Sequence, residues 1–465
     1  MKRKLFYLAL IGLLTTAGCK KFIDVNVSPN VPLDVQEKLL LAPIEYNVAH
    51  NIAAGDPGSV NANHFMQIIA LNQPVPNQGT YLIVPTGFDG VWNSIYVNNL
   101  QNLRILNEKG EANGNYNYSG IAKILTAYSL AAATDFWGDI PYSQALKGDL
   151  VLQPMYDKQE DIYKQIQVLL DNGIADINKN TGLKPGSDDF YYNGNMAKWR
   201  RAAFTLKARY FMRLTKAPGY SASTQADLAL AALQNGFQAT GGNTEDMRLV
   251  YPGGAGTESR WFNLMLPITT IVMSSYIVDY LKNTNDPRLP VLIAPAKSNG
   301  AYTGRPIGTP TTGSLESYSL LGSYYGSRTS PVFLITYSEA LFIRAEATLI
   351  KSGAAAAQPI FQDGIRSHMA KLGIDNVRTN DYITARGTLT PANALQRIIE
   401  EKVLANFMSI ENFNDWRRTG FPVLVKVPNA VSEIPRRFLY PEKELNTNRQ
   451  PQHSAVMTDR VWWDK

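Results

Sequence analysis

Four histidines stand at positions 50, 64, 368 and 453, and none shares with cysteine, aspartate or glutamate the short spacing that builds a metal site. His50 and His64 therefore read as helix-surface or packing residues, and no cofactor or metal is expected. Neither a Gly-x-Ser-x-Gly elbow nor a phosphate-binding P-loop is present, and Gly253-Gly254-Ala255-Gly256 is a flexible turn without the residues of a nucleotide cradle. The adjacent Glu400 and Glu401 lie on an expected helix, where solvated or ion-pair roles outweigh acid/base catalysis. Two carboxylates distant in sequence could still meet in a cleft. The more suggestive inventory is aromatic: 24 Tyr and 7 Trp, many in stretches rich in Gly, Asn and Pro where no core helix is expected. Rings in such loops are candidate ligand platforms.

One residue carries different chemistry. The single cysteine, Cys19, follows a basic start (Lys2, Arg3, Lys4), an apolar run from Leu5 to Leu14 and the small residues Thr16-Ala17-Gly18. This is a secretory signal peptide over 1–18, with Cys19 as a lipoprotein acceptor. Acyl chains of lipoprotein length hold a protein at a membrane, each buried methylene adding about 0.8 kcal/mol. Thr16 stands where lipoprotein signals usually have leucine, and the alternative is an ordinary secretory peptide with a cysteine at the cut by chance. Lys20 is not the aspartate that retains some lipoproteins at the inner membrane, so an outer-membrane destination is open.

Composition narrows the partners. The formal charge of +6 includes the three basic residues of the signal, and the remainder is spread without long basic runs. That argues against nucleic acid, which wants a concentrated basic face. After the signal no segment offers the ~20 uncharged apolar residues of a membrane span.

The elements that must position any site are helical. Ile121, Ile124, Leu125, Tyr128 and Ala132 keep the spacing of one helix face, with Ala122, Ala127 and Ala131 allowing close approach of a neighbour. Asp157 and Glu160 suggest a capping box for a helix burying Tyr163, Ile166, Leu170, Ile174 and Ile177. Further stripes run from Met196 through Trp199, Ala203, Leu206 and Tyr210 to Leu214, and from the Thr336/Glu339 cap to Ile350, with Gly353 as the stop. A second helix follows from Ala354 to about Leu372. Thr390-Pro391 suits the start of a helix bearing Leu395, Ile399, Val403 and Phe407. Paired helices with alanine at the contacts are how tetratricopeptide-like hairpins are built, although no fixed 34-residue period is visible, and an irregular bundle stays open. Residues 20–32 look like an extended tether. Long irregular stretches cover roughly 72–91, 236–265 and 295–333, and loops of that length are usually functional or disordered.

The most distinctive string is Asp135-Phe136-Trp137-Gly138-Asp139-Ile140-Pro141-Tyr142. It ends the helix begun near Ile121, and Phe136 and Trp137 read as packing residues, as does Trp92 with Ile95, Tyr96 and Leu100. With Ala127-Tyr128 before it and Ser143-Gln144-Ala145 after, it resembles the corresponding stretch of the SusD/RagB-like outer-membrane lipoproteins of Bacteroidota. Ala197-Lys198-Trp199, Asn285-Asp286-Pro287-Arg288, Ser338-Glu339-Ala340, Ala345-Glu346-Ala347, Asn414-Asp415-Trp416-Arg417-Arg418 and Ile434-Pro435-Arg436-Arg437 follow in the family's order.

The resemblance implies a mainly α fold: tetratricopeptide-like helix pairs forming a right-handed superhelical scaffold, with long irregular loops on a ligand-binding face, as one domain over 33–465. It implies lipid anchoring at the outer membrane, facing the cell exterior, and capture of a glycan or an oligopeptide for a SusC-like TonB-dependent transporter. No binding residue transfers by motif, so the site is argued from chemistry. Sugar C–H faces stack on rings while amides read hydroxyls. Tyr81, Phe88, Trp261, Tyr324 and Tyr325 are the expected platforms and Asn72 and Gln73 the polar contacts. A non-catalytic binding protein is expected; a surface glycoside hydrolase on a helical scaffold and a non-transport adhesin are the alternatives.

Overall fold

A computed structural model describes residues 35–55, 58–311, 313–450 and 455–465. The signal peptide, Cys19 and the 20–32 tether lie outside the described residues.

The expected stripes fold as helices that pack in chain order. Gln101–Ala112, Tyr116–Trp137, Gln159–Lys179, Met196–Arg213 and Ala222–Leu233 each pack on the next. Tyr337–Lys371 then packs on Ala222–Leu233 and on Ala394–Ala405. All five residues of the Tyr163-to-Ile177 stripe are buried, as are Ile121, Ile124, Leu125, Tyr128 and Ala132. The two longest neighbours approach backbone to backbone. A Cβ on Gly120 would stand 2.8 Å from the Gly173 carbonyl, and one on Gly173 would stand 2.9 Å from the Gly120 carbonyl. Only glycine permits that crossing. Gly353 breaks Tyr337–Lys371 at φ 80°, ψ 179°, a conformation closed to residues with a Cβ, so the chain turns from one helix into the next where a stop is expected.

Two expected caps differ. Asp157 does not cap the helix it precedes. Its carboxylate accepts from the Tyr142 and Ser143 amides at 2.8 and 2.7 Å, and Lys158 is the N-cap. The local pattern was satisfied, but a longer-range partner took the carboxylate. The Thr390-Pro391 pair starts a turn; the helix itself begins at Ala394 behind Asn393. The Thr336 cap forms as expected, its hydroxyl accepting from the Glu339 amide at 3.1 Å.

Among the described residues, the long stretches between helices are tied by four two-stranded antiparallel ribbons: β1 (Ile69–Leu71) with β5 (Ile271–Met273), β2 (Ile140–Pro141) with β3 (Tyr156–Asp157), β4 (Met247–Leu249) with β8 (Val332–Ile335), and β6 (Ile293–Ala294) with β7 (Leu320–Leu321). Each joins segments distant in sequence, except β2 with β3.

The strings that carried the resemblance converge inside the molecule. Asp135 accepts from the Trp463 indole at 2.9 Å and from Asn414 at 3.1 Å. Glu339 takes Arg209 in two bonds of 2.9 and 2.6 Å, and Glu411 takes Arg213. Arg418 binds Glu346 and Asp415, and Asp415 also holds Lys402 at 2.8 Å. A second cluster seats Arg288 between Asp286 at 2.6 Å and Glu401 at 2.8 Å. Every side chain named here except the Trp463 ring is polar and buried, and each charge finds an opposite one. Burial pushes the Asp415 carboxyl up, but Lys402 and Arg418 outweigh it and hold it well below the usual carboxylate range. Glu401 is thus an ion-pair residue, and Glu400 pairs with Arg386 at 2.9 Å.

Candidate functional site

The polar strings are spent on the scaffold, so a ligand site has to be sought among the ribbons. Between β5, β6 and β7 lies a groove of about 400 Å³. Met265, Pro267 and Ile271 line it from the 265–271 segment, and Ala294, Pro295 and Lys297 line it from β6 and the residues after it. Leu315, Tyr318 and Leu320 supply apolar surface at the third side, with Ser314 and Glu316 beside them. The lining is mostly apolar with a few polar groups at its edge, the balance of a small-molecule site.

Local structure explains each wall. Ser314 caps the Leu315–Ser317 turn by accepting from the Glu316 amide at 3.2 Å, and the Ser298 amide bonds the Glu316 carbonyl at 3.0 Å. These bonds fix Lys297 and Glu316 on neighbouring turns. Tyr318 is half-buried, and the Arg305 guanidinium lies 5.5 Å from its ring centre. The wall at 265–271 projects apolar side chains into solvent, Ile268 being 89% exposed.

The expected site residues fall in three places. Asn72 and Gln73 reach the groove's border: the Asn72 amide donates to the Thr270 carbonyl at 2.9 Å, and the Gln73 side chain donates to the Thr270 hydroxyl at 2.8 Å. Both brace the strand end that carries Ile271. Tyr81 and Phe88 are fully buried. Tyr81 packs edge-on against Phe65, and Phe88 stacks on Phe438 at 4.6 Å within a cluster that includes Phe136, Trp137 and Trp92. Tyr81 occupies the left-handed region at φ 70° and anchors the 72–81 turn from beneath. Trp261 and Tyr325 are buried together against Val332 and Phe407. Tyr324 is half-buried, edge-on to Tyr325 at 5.1 Å, and burial pushes its hydroxyl up to about 12. These four buried rings have no open face on which a sugar could stack. Tyr318, the ring that lines this groove, is not among the expected platforms. The signal available was its place in the 295–333 stretch, beside Ser314, Glu316 and Lys297 rather than beside another ring.

Phe136, Trp137 and Trp92 pack as expected. His64 is buried with neither ring nitrogen bonded, and burial lowers its pKa to about 4. His50 stacks on Tyr46 at 4.7 Å and its ring nitrogen lies 3.1 Å from the Tyr251 hydroxyl. No group of three or more potential metal ligands occurs among the described residues.

Packed helix pairs joined by irregular ribbons define a mainly helical, tetratricopeptide-like fold. The chain belongs to the SusD-like family: the family model described as "Starch-binding associating with outer membrane" matches residues 29–441. Solved structures agree on the fold. A chitin-binding protein is 24% identical over 92% of this chain and 100% of its own, with a TM-score of 0.79. A chitin-binding SusD homologue from Flavobacterium johnsoniae is 23% identical over 92% and 98%, TM-score 0.78, and a SusD/RagB family protein from Bacteroides thetaiotaomicron is 24% identical over 93% and 99%, TM-score 0.77. No curated protein sequence matches. No helix among the described residues is long and apolar enough to cross a membrane.

Proposed function

We propose that this chain is a lipid-anchored outer-membrane protein that binds a glycan in the Tyr318 groove and delivers it to a SusC-like TonB-dependent transporter. The observation that carries the reading is the groove's composition on a chain of this family: one half-buried ring and a largely apolar lining, edged by Lys297, Glu316 and Ser314. A pyranose presents an apolar C–H face and a ring of hydroxyls, and that lining offers a complement to each. The chitin-binding neighbours and the starch-binding description of the family favour a glycan over a peptide. Glu316 is the single carboxylate among the described residues that line the groove, whereas glycoside hydrolysis ordinarily employs a pair, so binding without cleavage is the preferred reading. Residues 33–465 act as one domain in this account. Cys19 holds that domain at the cell exterior through the 20–32 tether, which keeps it at high effective concentration over the transporter mouth.

The test is calorimetry of the chain from Lys20 onward against maltohexaose and chitohexaose, with chromatography of the sugar afterwards. Binding of one of them with the sugar recovered intact supports the reading. Cleavage would move the protein to the hydrolases, and binding of oligopeptides in place of both sugars would move it to peptide capture. Co-purification of the transporter with the full chain from detergent-solubilised outer membranes tests the partner.

A further inference from the structure

We infer that Arg305 is the positioning residue of the groove, holding the Tyr318 ring in place from behind; the inference rests on the groove being the binding site. Arg305 is 1% exposed, and like the buried Arg417 and Arg437 it is bonded to uncharged oxygens, whereas four other buried arginines are ion-paired. Arg209, Arg213, Arg288 and Arg418 each meet a carboxylate within 3.0 Å. Arg305 forms no ion pair among the described residues. Its Nε donates to the Leu71 carbonyl at 2.7 Å, one terminal nitrogen donates to the Thr309 and Pro310 carbonyls at 2.9 and 3.4 Å, and the other donates to the Tyr318 hydroxyl at 3.4 Å.

Burying a charge without a countercharge is costly unless its donors are all met, so this arginine is not there for ion-pair stability. Its fork spans the pieces that frame the groove. Leu71 pairs with Ile271 in the wall, and the Arg305 amide bonds the Met273 carbonyl at 2.9 Å. Tyr318 lines the third side, and Ser319 beside it bonds both Thr303 and Met273. The guanidinium therefore registers β1 against the 303–310 turn and contacts Tyr318, while the backbone amide of the same residue ties that turn to β5. A ring on a short loop has rotamer freedom to lose on binding, and a contact from behind spends that entropy during folding instead. Lysine could supply the charge but not the planar fork to four oxygens.

The experiment places fluorotyrosine at position 318 and records its fluorine resonance without ligand in the wild type, Arg305→Met and Arg305→Lys, with urea unfolding of each to confirm that the chain is folded. A single sharp wild-type line that shifts or broadens in both variants is expected; an unchanged line in folded Arg305→Met would overturn the inference. Should Arg305→Met fail to fold, Tyr318→Phe takes its place, since it keeps the ring and removes the oxygen to which Arg305 donates. Against whichever of maltohexaose and chitohexaose binds the wild type, Tyr318→Phe should bind several-fold more weakly, at unchanged stability. Wild-type affinity in Tyr318→Phe alongside loss of binding in Tyr318→Ala would also overturn it. Wild-type affinity in Tyr318→Ala would instead sink the groove assignment itself. Loss of Arg305 should add little once Tyr318 is alanine, because the two act as a unit.

Discussion

Arg418→Met removes the cation that joins Glu346, on one helix of the scaffold, to Asp415, on the Glu411–Thr419 helix. Both carboxylates are nearly inaccessible, at 2% and 5% side-chain exposure, but they are not equally dependent on Arg418. Asp415 keeps Lys402 at 2.8 Å. Glu346 has no other ion-pair partner among the described residues. Removing one member of a buried pair costs about 3–5 kcal/mol, chiefly through the stranded charge. With one of two carboxylates still covered, the loss should fall near the lower end, about 3 kcal/mol. Urea unfolding of the chain from Lys20, followed by circular dichroism, measures it directly. The double variant Arg418→Met with Glu346→Leu should recover a large part of the loss, since no buried charge is then left alone. A single variant within about 0.5 kcal/mol of wild type would mean that Arg418 carries no such ionic load, because that is the range of substitutions that touch nothing important.

Other outcomes follow from the same packing. Gly173→Ala should destabilise by about 1–3 kcal/mol, since its Cβ has to enter the Gly120 backbone; an unchanged urea midpoint would contradict the close crossing. His64 is neutral in the fold, with its pKa lowered to about 4 by burial, against about 6.5 when unfolded. Below pH 6.5 the unfolded chain binds the extra proton, so stability is full above that pH and is lost as pH falls towards 4. About 2 kcal/mol should go between pH 7 and pH 5 on account of His64, and His64→Gln should flatten that part of the profile relative to wild type. Metabolic labelling with a fatty-acid analogue should mark the wild type and not Cys19→Ala; persistent labelling of the variant would remove the anchor.

Helices were legible where burial follows from local period. The Tyr163-to-Ile177 stripe and the Gly353 stop are set by residues within a few turns of one another, and short-range pattern reports them well. The site was not legible in the same way. Whether a loop ring faces out is decided by partners far along the chain: Phe88 is covered by Phe438, and Tyr325 by Phe407. Tyr81, Phe88 and Tyr318 are alike in sequence setting, and only the tertiary fold separates anchor from platform. Asp157 shows the same limit for polar groups, since a capping pattern cannot reveal a competing pair of amides 14 and 15 residues away. The distinctive strings were informative about family because they build the buried ionic frame, and for that reason they say nothing about ligand.

Titration of maltohexaose and chitohexaose into wild type and Tyr318→Ala in the calorimeter decides whether a glycan occupies the groove beside Tyr318. Truncating a stacked aromatic at a binding centre costs about 2 kcal/mol or more, so at least a tenfold loss of affinity is expected for the sugar that binds, with the urea midpoint unchanged. Equal affinity in the two proteins would place the glycan away from Tyr318.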